Sequence, residues 1–165
     1  MPKDNMQTAS VDLTIPASPV WFGTVRNLIV GISRDCGFSD RDAGGIALAV
    51  DEAMSNVFRH GYNSSTGVIE LQLEAFSATQ SDPCGISICI EDRGKQVDID
   101  TICSRNLEDV KPGGLGVHLI QSIMDEATWV HREGGGMRLL LVKQGKMLNA
   151  SSPEPSPQPN GPCKA

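Results

Sequence analysis

The sequence predicts an α+β fold, a two-layer α/β sandwich with a mixed, mostly antiparallel sheet and helices on one face. Three observations predict it. Apolar and polar residues alternate near 11–15, 69–75 and 86–90, which marks strands. Apolar stripes at helical spacing begin behind Ser18, Ser39 and Gly114. Two further strand-like runs, about 127–132 and 137–143, flank the turn Glu133-Gly134-Gly135-Gly136. The order is strand, two helices, two strands, helix, hairpin, and its folded body spans 11–145.

In the first strand Val11, Leu13 and Ile15 alternate with polar neighbours. Ser18 is placed to cap the first helix, with Pro19 at its first position, where the missing N–H is harmless. Its stripe is Trp21, Val25, Leu28, Ile29 and Ile32, and Gly37 is the stop. Of Trp21 and Phe22, one belongs to the core and the other to a partner or dimer surface. Ser39-Asp-Arg-Asp42 reads as a variant capping box. The helix behind it turns Ile46, Val50, Ala53, Met54 and Val57 inward and ends at Gly61. Ile69, Leu71, Leu73 and Ala75 alternate with Glu70, Gln72 and Glu74, a strand with one wet face. Residues 77–85 are turn-like, and Ile86, Ile88 and Ile90 form the next strand. From Arg93 to Gly114 there is no clear period, the mark of a functional loop. The last helix presents Leu119, Ile120, Ile123 and Met124 inward.

The ends are of different composition. Residues 1–10 are polar and expected to be flexible. Residues 146–165 form an expected disordered tail, since 149–165 hold five prolines and no large apolar side chain. Apolar residues make up 39% of the 165, ordinary for a globular domain. No apolar run approaches the roughly 20 residues of a membrane span, and no hydrophobic signal region follows Met1. Five scattered cysteines with no C-x-x-C pair suit reduced thiols in a cytoplasmic protein. The net charge of −6 argues against a nucleic-acid partner, which needs a basic face. It leaves a nucleotide site open, because backbone N–H groups and a divalent cation can meet phosphate charge.

Three constellations carry chemistry. Glu52, Asn56 and His60 recur at every fourth position and share one helical face. An amide oxygen there can ligate Mg²⁺, and a carboxylate one turn away can take a proton from an attacking hydroxyl or orient it. Asp92 ends a buried strand two residues before Gly94, where its carboxylate can accept from an exocyclic amine such as adenine's and the glycine admits a flat ring. The run Gly114-Leu115-Gly116-Val117 opens a helix whose first N–H groups can cradle phosphate. Each pattern alone has a plain reading: a solvated helix face, a turn, a hinge. His118 and His131 have no metal-ligand partners at useful spacing.

Together, in this order, the three resemble the N, G1 and G2 boxes of the GHKL (Bergerat-fold) ATPase and kinase superfamily. Within it, Ala49-Val-Asp-Glu-Ala-Met-Ser-Asn-Val-Phe-Arg-His-Gly-Tyr62, Ile90-Glu-Asp-Arg-Gly-Lys95 and Gly114-Leu-Gly-Val-His-Leu-Ile-Gln-Ser-Ile-Met-Asp-Glu126 resemble the bacterial anti-sigma factor serine/threonine kinases. The resemblance implies Glu52 as the catalytic carboxylate and Asn56 as the Mg²⁺ ligand. It implies Asp92 and Gly94 at the adenine of ATP, Gly114, Leu115, Gly116 and Val117 at the phosphates, and an ATP lid near 100–113. It further implies transfer of the γ-phosphoryl group to a Ser or Thr of a STAS-type anti-anti-sigma partner, binding of a sigma factor, and a homodimer. Two positions depart from the family pattern. Gln96 stands where a G1 glycine is expected, which would tighten the root of the lid or alter nucleotide affinity. Met137 replaces the Thr often found after the glycine of the last hairpin, which bears on a contact beside adenine. Two other functions fit the same motifs: a nucleotide-gated partner-switch module with little kinase activity, and a stand-alone ATPase.

Overall fold

A computed structural model describes residues 8–79, 82–103 and 115–146. Strand β1 (Thr8–Pro16) is followed by helices α1 (Pro19–Asp35) and α2 (Asp40–Asn56). Strands β2 (Val68–Phe76) and β3 (Gly85–Asp92), the short helix α3 (Ile99–Cys103) and helix α4 (Leu115–Ile123) come next. The hairpin β4 (Glu126–His131) and β5 (Met137–Gln144) completes the fold. The five strands lie in the order β1-β2-β3-β5-β4, and all four pairings are antiparallel. The hairpin therefore joins the sheet through its second strand, which sets β5 against β3 and leaves β4 at the edge.

Alternation decides which face is buried. Leu71, Leu73 and Ala75 align with Ile90, Ile88 and Ile86 across the β2–β3 register, Ile69 stands opposite Asp92, and Leu139 and Leu141 continue the layer on β5. These side chains meet Phe22, Val25 and Ile29 of α1, Ile46, Val50 and Met54 of α2, and Ile120 of α4 in one core. Helix α2 lies in the middle of the helical layer, packed on both α1 and α4. Met54 is fully buried, so truncating it to Ala would cost about 2–5 kcal/mol. Gly45 brings α4 close, since a Cβ there would stand 3.4 Å from Ile123 Cγ2.

Several local expectations resolve in detail. Ser18 stands at the N-cap of α1 with Pro19 behind it, but its side chain makes no capping bond. Ser39 does cap: its Oγ accepts from the Asp42 amide at 3.1 Å. Phe22 is the core residue of its pair, and Trp21 is 46% exposed. Leu28, expected on the inward stripe, is 36% exposed. The buried positions of α1 are Phe22, Val25, Ile29 and Ser33, a narrow seam that leaves Trp21 and Leu28 on its flank. There they border a shallow apolar groove of about 380 Å³ with Leu13 and Ile15. Leu119 is half-buried beside fully buried Ile120.

Strand β1 starts at Thr8, inside the stretch expected to be flexible, because its whole length pairs with β2 from Thr8↔Phe76 to Pro16↔Val68. Ile99–Cys103 forms a short helix within the run that shows no period. The remaining expectations for 1–7, for most of the lid, for Gly114 and for the tail lie outside the described residues. Among the described residues, no helix is long and apolar enough to cross a membrane. Cys36, Cys84 and Cys89 are free thiols, and burial pushes all three up from their ordinary value.

Candidate functional site

Helix α2 delivers Glu52 and Asn56 near its C-terminal end, both half-buried. The first turn of α4 meets them. A Cβ built on Gly116 would lie 2.7 Å from Glu52 Oε2 and 3.5 and 3.7 Å from Asn56 Nδ2 and Oδ1. Only a glycine lets the α4 backbone approach those two side chains this closely. Leu115, Gly116 and Val117 form the first described turn of that helix. The first and third constellations thus meet at one point.

His60 lies beyond the α-helical winding that carries Glu52 and Asn56. The α-helical winding ends at Asn56, and Val57–Gly61 forms a π-helical turn, closed by the Tyr62 amide donating to the Val57 carbonyl at 3.0 Å. His60, within this turn, is exposed, while Glu52 and Asn56 are half-buried. The same turn brings Gly61 against the end of β3. A Cβ on Gly61 would stand 3.4 Å from Asp92 Oδ1, and one on Gly94 would stand 2.5 Å from the Gly61 carbonyl oxygen. The Lys95 amide donates to that carbonyl at 2.8 Å. The Tyr62 hydroxyl closes the junction, donating to the Val68 carbonyl at 2.8 Å and accepting from the Arg93 amide at 3.0 Å. Motif residues Gly61 and Tyr62 therefore bolt the end of the Glu52/Asn56 helix to the Asp92 turn.

Asp92 is 3% exposed. The Gly94 amide donates to its Oδ1 at 2.7 Å. Burial pushes the carboxyl above its ordinary range, while the Gly94 and Met137 amides and the Arg132 charge oppose that rise. Met137, whose side chain is buried, thus serves Asp92 through its main chain. Gly136 at φ +85 presses its backbone on the Asp92 carbonyl, and any Cβ there would overlap it. Gln96, the residue in place of a family glycine, donates through Nε2 to the Arg132 carbonyl at 2.8 Å. His131 Nε2 lies 2.8 Å from the Val97 carbonyl, which accepts from it. Both contacts tie residues 96–97 to the β4–β5 hairpin.

Sequence reasoning missed Arg132. Its Nη1 donates to the Asp92 carbonyl at 2.8 Å, and its guanidinium lies 3.1 Å from Glu91 and 3.7 Å from Glu70. Arg138 pairs with Glu91 as well, and Arg93 stands 3.8 Å from Glu70. No local motif announces the partners of the Arg132 guanidinium, the nearest of which, Asp92, is 40 residues away in the chain.

Residues 15–143 match the model of the histidine kinase-like ATPase domain. The chain belongs to the histidine kinase-like ATPase family. Within the family it is 30% identical to the serine-protein kinase RsbW of Staphylococcus aureus (strain JH9) over 135 residues, which cover 76% of this chain and 80% of that one. It is 33% identical to the RsbW of Staphylococcus epidermidis over the same length and shares. A solved structure of the Erythrobacter litoralis EL346 blue-light activated histidine kinase aligns at 19% identity and a TM-score of 0.47, covering 78% of this chain and 42% of that one. The matched segment of the family model contains Glu52, Asn56, Asp92, Gly94 and Gly116.

Proposed function

We propose that this chain is an ATP-dependent protein serine/threonine kinase of the anti-sigma factor type. It phosphorylates a Ser or Thr of a STAS-type anti-anti-sigma partner and sequesters a sigma factor, acting as a cytoplasmic homodimer. Kinase class and use of ATP follow from family membership and from the RsbW relatives. The observation that carries the reading further is the seating of Gly116 against both Glu52 and Asn56. It sets the first described turn of α4 beside a carboxylate and a carboxamide, and a helix start with such partners suits phosphoryl transfer.

Each residue has one task. Asp92, whose carboxylate form the Gly94 and Met137 amides and the Arg132 charge favour against the opposing effect of burial, accepts from the exocyclic amine of adenine. Gly94, flat against Gly61, lets the Asp92 turn pack on the end of the π-helical turn and so fixes the floor on which the base would lie. The N–H groups of Leu115, Gly116 and Val117 bind phosphate oxygens, with Gly114 ahead of them. Glu52 orients the acceptor hydroxyl and takes its proton as the new ester forms. Asn56 fits Mg²⁺, because its carboxamide oxygen is a hard neutral ligand and Gly116 leaves open the space that a Cβ would fill. When bound, the ion supplies charge neutralisation on the phosphates. The protein's own contribution is positioning, which for this reaction supplies most of the catalysis.

Single-turnover transfer from labelled ATP to the cognate anti-anti-sigma protein tests the reading. Wild type incorporates label, and Glu52→Ala loses transfer while still binding ATP. Full transfer by Glu52→Ala rejects the catalytic assignment. No transfer by wild type, with nucleotide still gating partner binding, selects the switch-module alternative.

A further inference from the structure

Arg132 follows β4, its guanidinium reaches Glu70, Glu91 and the Asp92 carbonyl, and the phosphoryl step does not call on it. Its surroundings are nevertheless built. The side chain is 16% exposed and Glu91 beside it 14%, both low for charged groups on a sheet surface. The guanidinium spans three partners on two strands: the Asp92 carbonyl at 2.8 Å, Glu91 at 3.1 Å and Glu70 at 3.7 Å. Its own carbonyl accepts from Gln96 at 2.8 Å, and the Gly135 amide donates to that carbonyl at 3.3 Å. The planar fork of arginine suits this double duty, and a lysine cannot reproduce it. Next to it, the Gly136 backbone abuts the same Asp92 carbonyl.

We propose that Arg132 is a positioning residue for base recognition. It locks the main chain of Asp92, so that the carboxylate is held in the one orientation that receives an exocyclic amine. Glu91 and Glu70 hold the guanidinium in place. The proposal rests on the reading that Asp92 recognises adenine. Arg132 does not touch the base, and its effect is on selectivity, not on the phosphoryl step.

Calorimetric titration of the full chain with Mg-ADP and with Mg-GDP tests it. GDP presents a carbonyl where ADP presents an amine, so an ordered carboxylate favours ADP. Arg132→Gln should lose about tenfold in ADP affinity, the worth of one charge-assisted bond, with GDP little changed. Arg138→Gln removes the other cation on Glu91 but leaves the Asp92 carbonyl bonded, and should shift ADP affinity by about twofold at most, as exposed pairs do. An unchanged ADP-to-GDP ratio in Arg132→Gln overturns the proposal, even if the melting temperature falls. If Arg132→Gln does not fold, Arg132→Lys replaces it: a narrowed ratio supports the proposal and a wild-type ratio overturns it. Asp92→Asn separates the two levels. If that variant keeps ADP affinity, the base-recognition reading itself fails. If it loses affinity while Arg132→Gln does not, only the role of Arg132 fails.

Discussion

Gly116→Ala should disable phosphotransfer while leaving the fold nearly as stable as before. The new methyl would stand 2.7 Å from Glu52 Oε2. Comfortable non-bonded separation is about 3.5 Å, so the carboxylate must retreat by roughly 1 Å. The clash falls on the end of a flexible side chain, and an off-rotamer glutamate costs about 0.5–1.5 kcal/mol. Replacing a helical glycine by alanine returns up to about 1 kcal/mol, so the two effects nearly cancel. The melting temperature should then move by about 4 °C at most. Activity has no such compensation, since a displacement of about 1 Å at a reacting group costs on the order of a hundredfold in rate. The assay is single-turnover transfer of labelled phosphate to the cognate partner, with a melting curve on the same preparation. An undiminished rate in a folded Gly116→Ala protein would refute the placement of Glu52 at the reacting hydroxyl. A large loss of stability would refute the claim that the contact is only with a movable side chain.

Gly136→Ala meets backbone instead: its methyl overlaps the Asp92 carbonyl at a φ of +85, so denaturant unfolding should show at least about 2 kcal/mol of destabilisation. Tyr62→Phe leaves the Val68 carbonyl and the Arg93 amide without their shared hydroxyl, and should cost about 1–2 kcal/mol by denaturant unfolding and weaken ADP binding measured by calorimetry. Nucleotide affinity should fall on acidification while the pH is still above 3.8, because burial raises the Asp92 carboxyl from that value and its ionised form is the stronger acceptor for the amine. Stability runs the other way: the folded state holds this proton more tightly, so the contribution of Asp92 is full below 3.8 and is lost as pH rises through the raised value. Calorimetry and melting curves across the acid range check both slopes.

The layers of this fold are legible in local periodicity. Ile69 to Ala75 alternate and bury one face, and Ile46, Val50 and Met54 repeat at helical spacing and bury one stripe. The pairing of Glu52 with Asn56 is legible for the same reason, since both lie within one regular helix. What fails is whatever depends on departures from regular winding or on distant chain. The α-helical count that reaches His60 runs into the π-helical turn at Val57–Gly61, which the periodic pattern does not announce. Apolarity puts Leu28 on the inward stripe of α1, but a seam of four inward positions leaves no room for it. The insertion of β5 between β3 and β4 comes from cross-strand pairing, which no local pattern encodes. Arg132 is invisible for that reason: its partners Asp92, Glu91 and Glu70 reach it only once the sheet is assembled.

The most direct measurement is a backbone amide NMR titration with Mg-ADP. Gly61, Gly94 and Gly116, far apart in sequence, should shift together and saturate with one common dissociation constant. Amides that stay still, or that respond with separate constants, would contradict a single nucleotide site built from all three stretches.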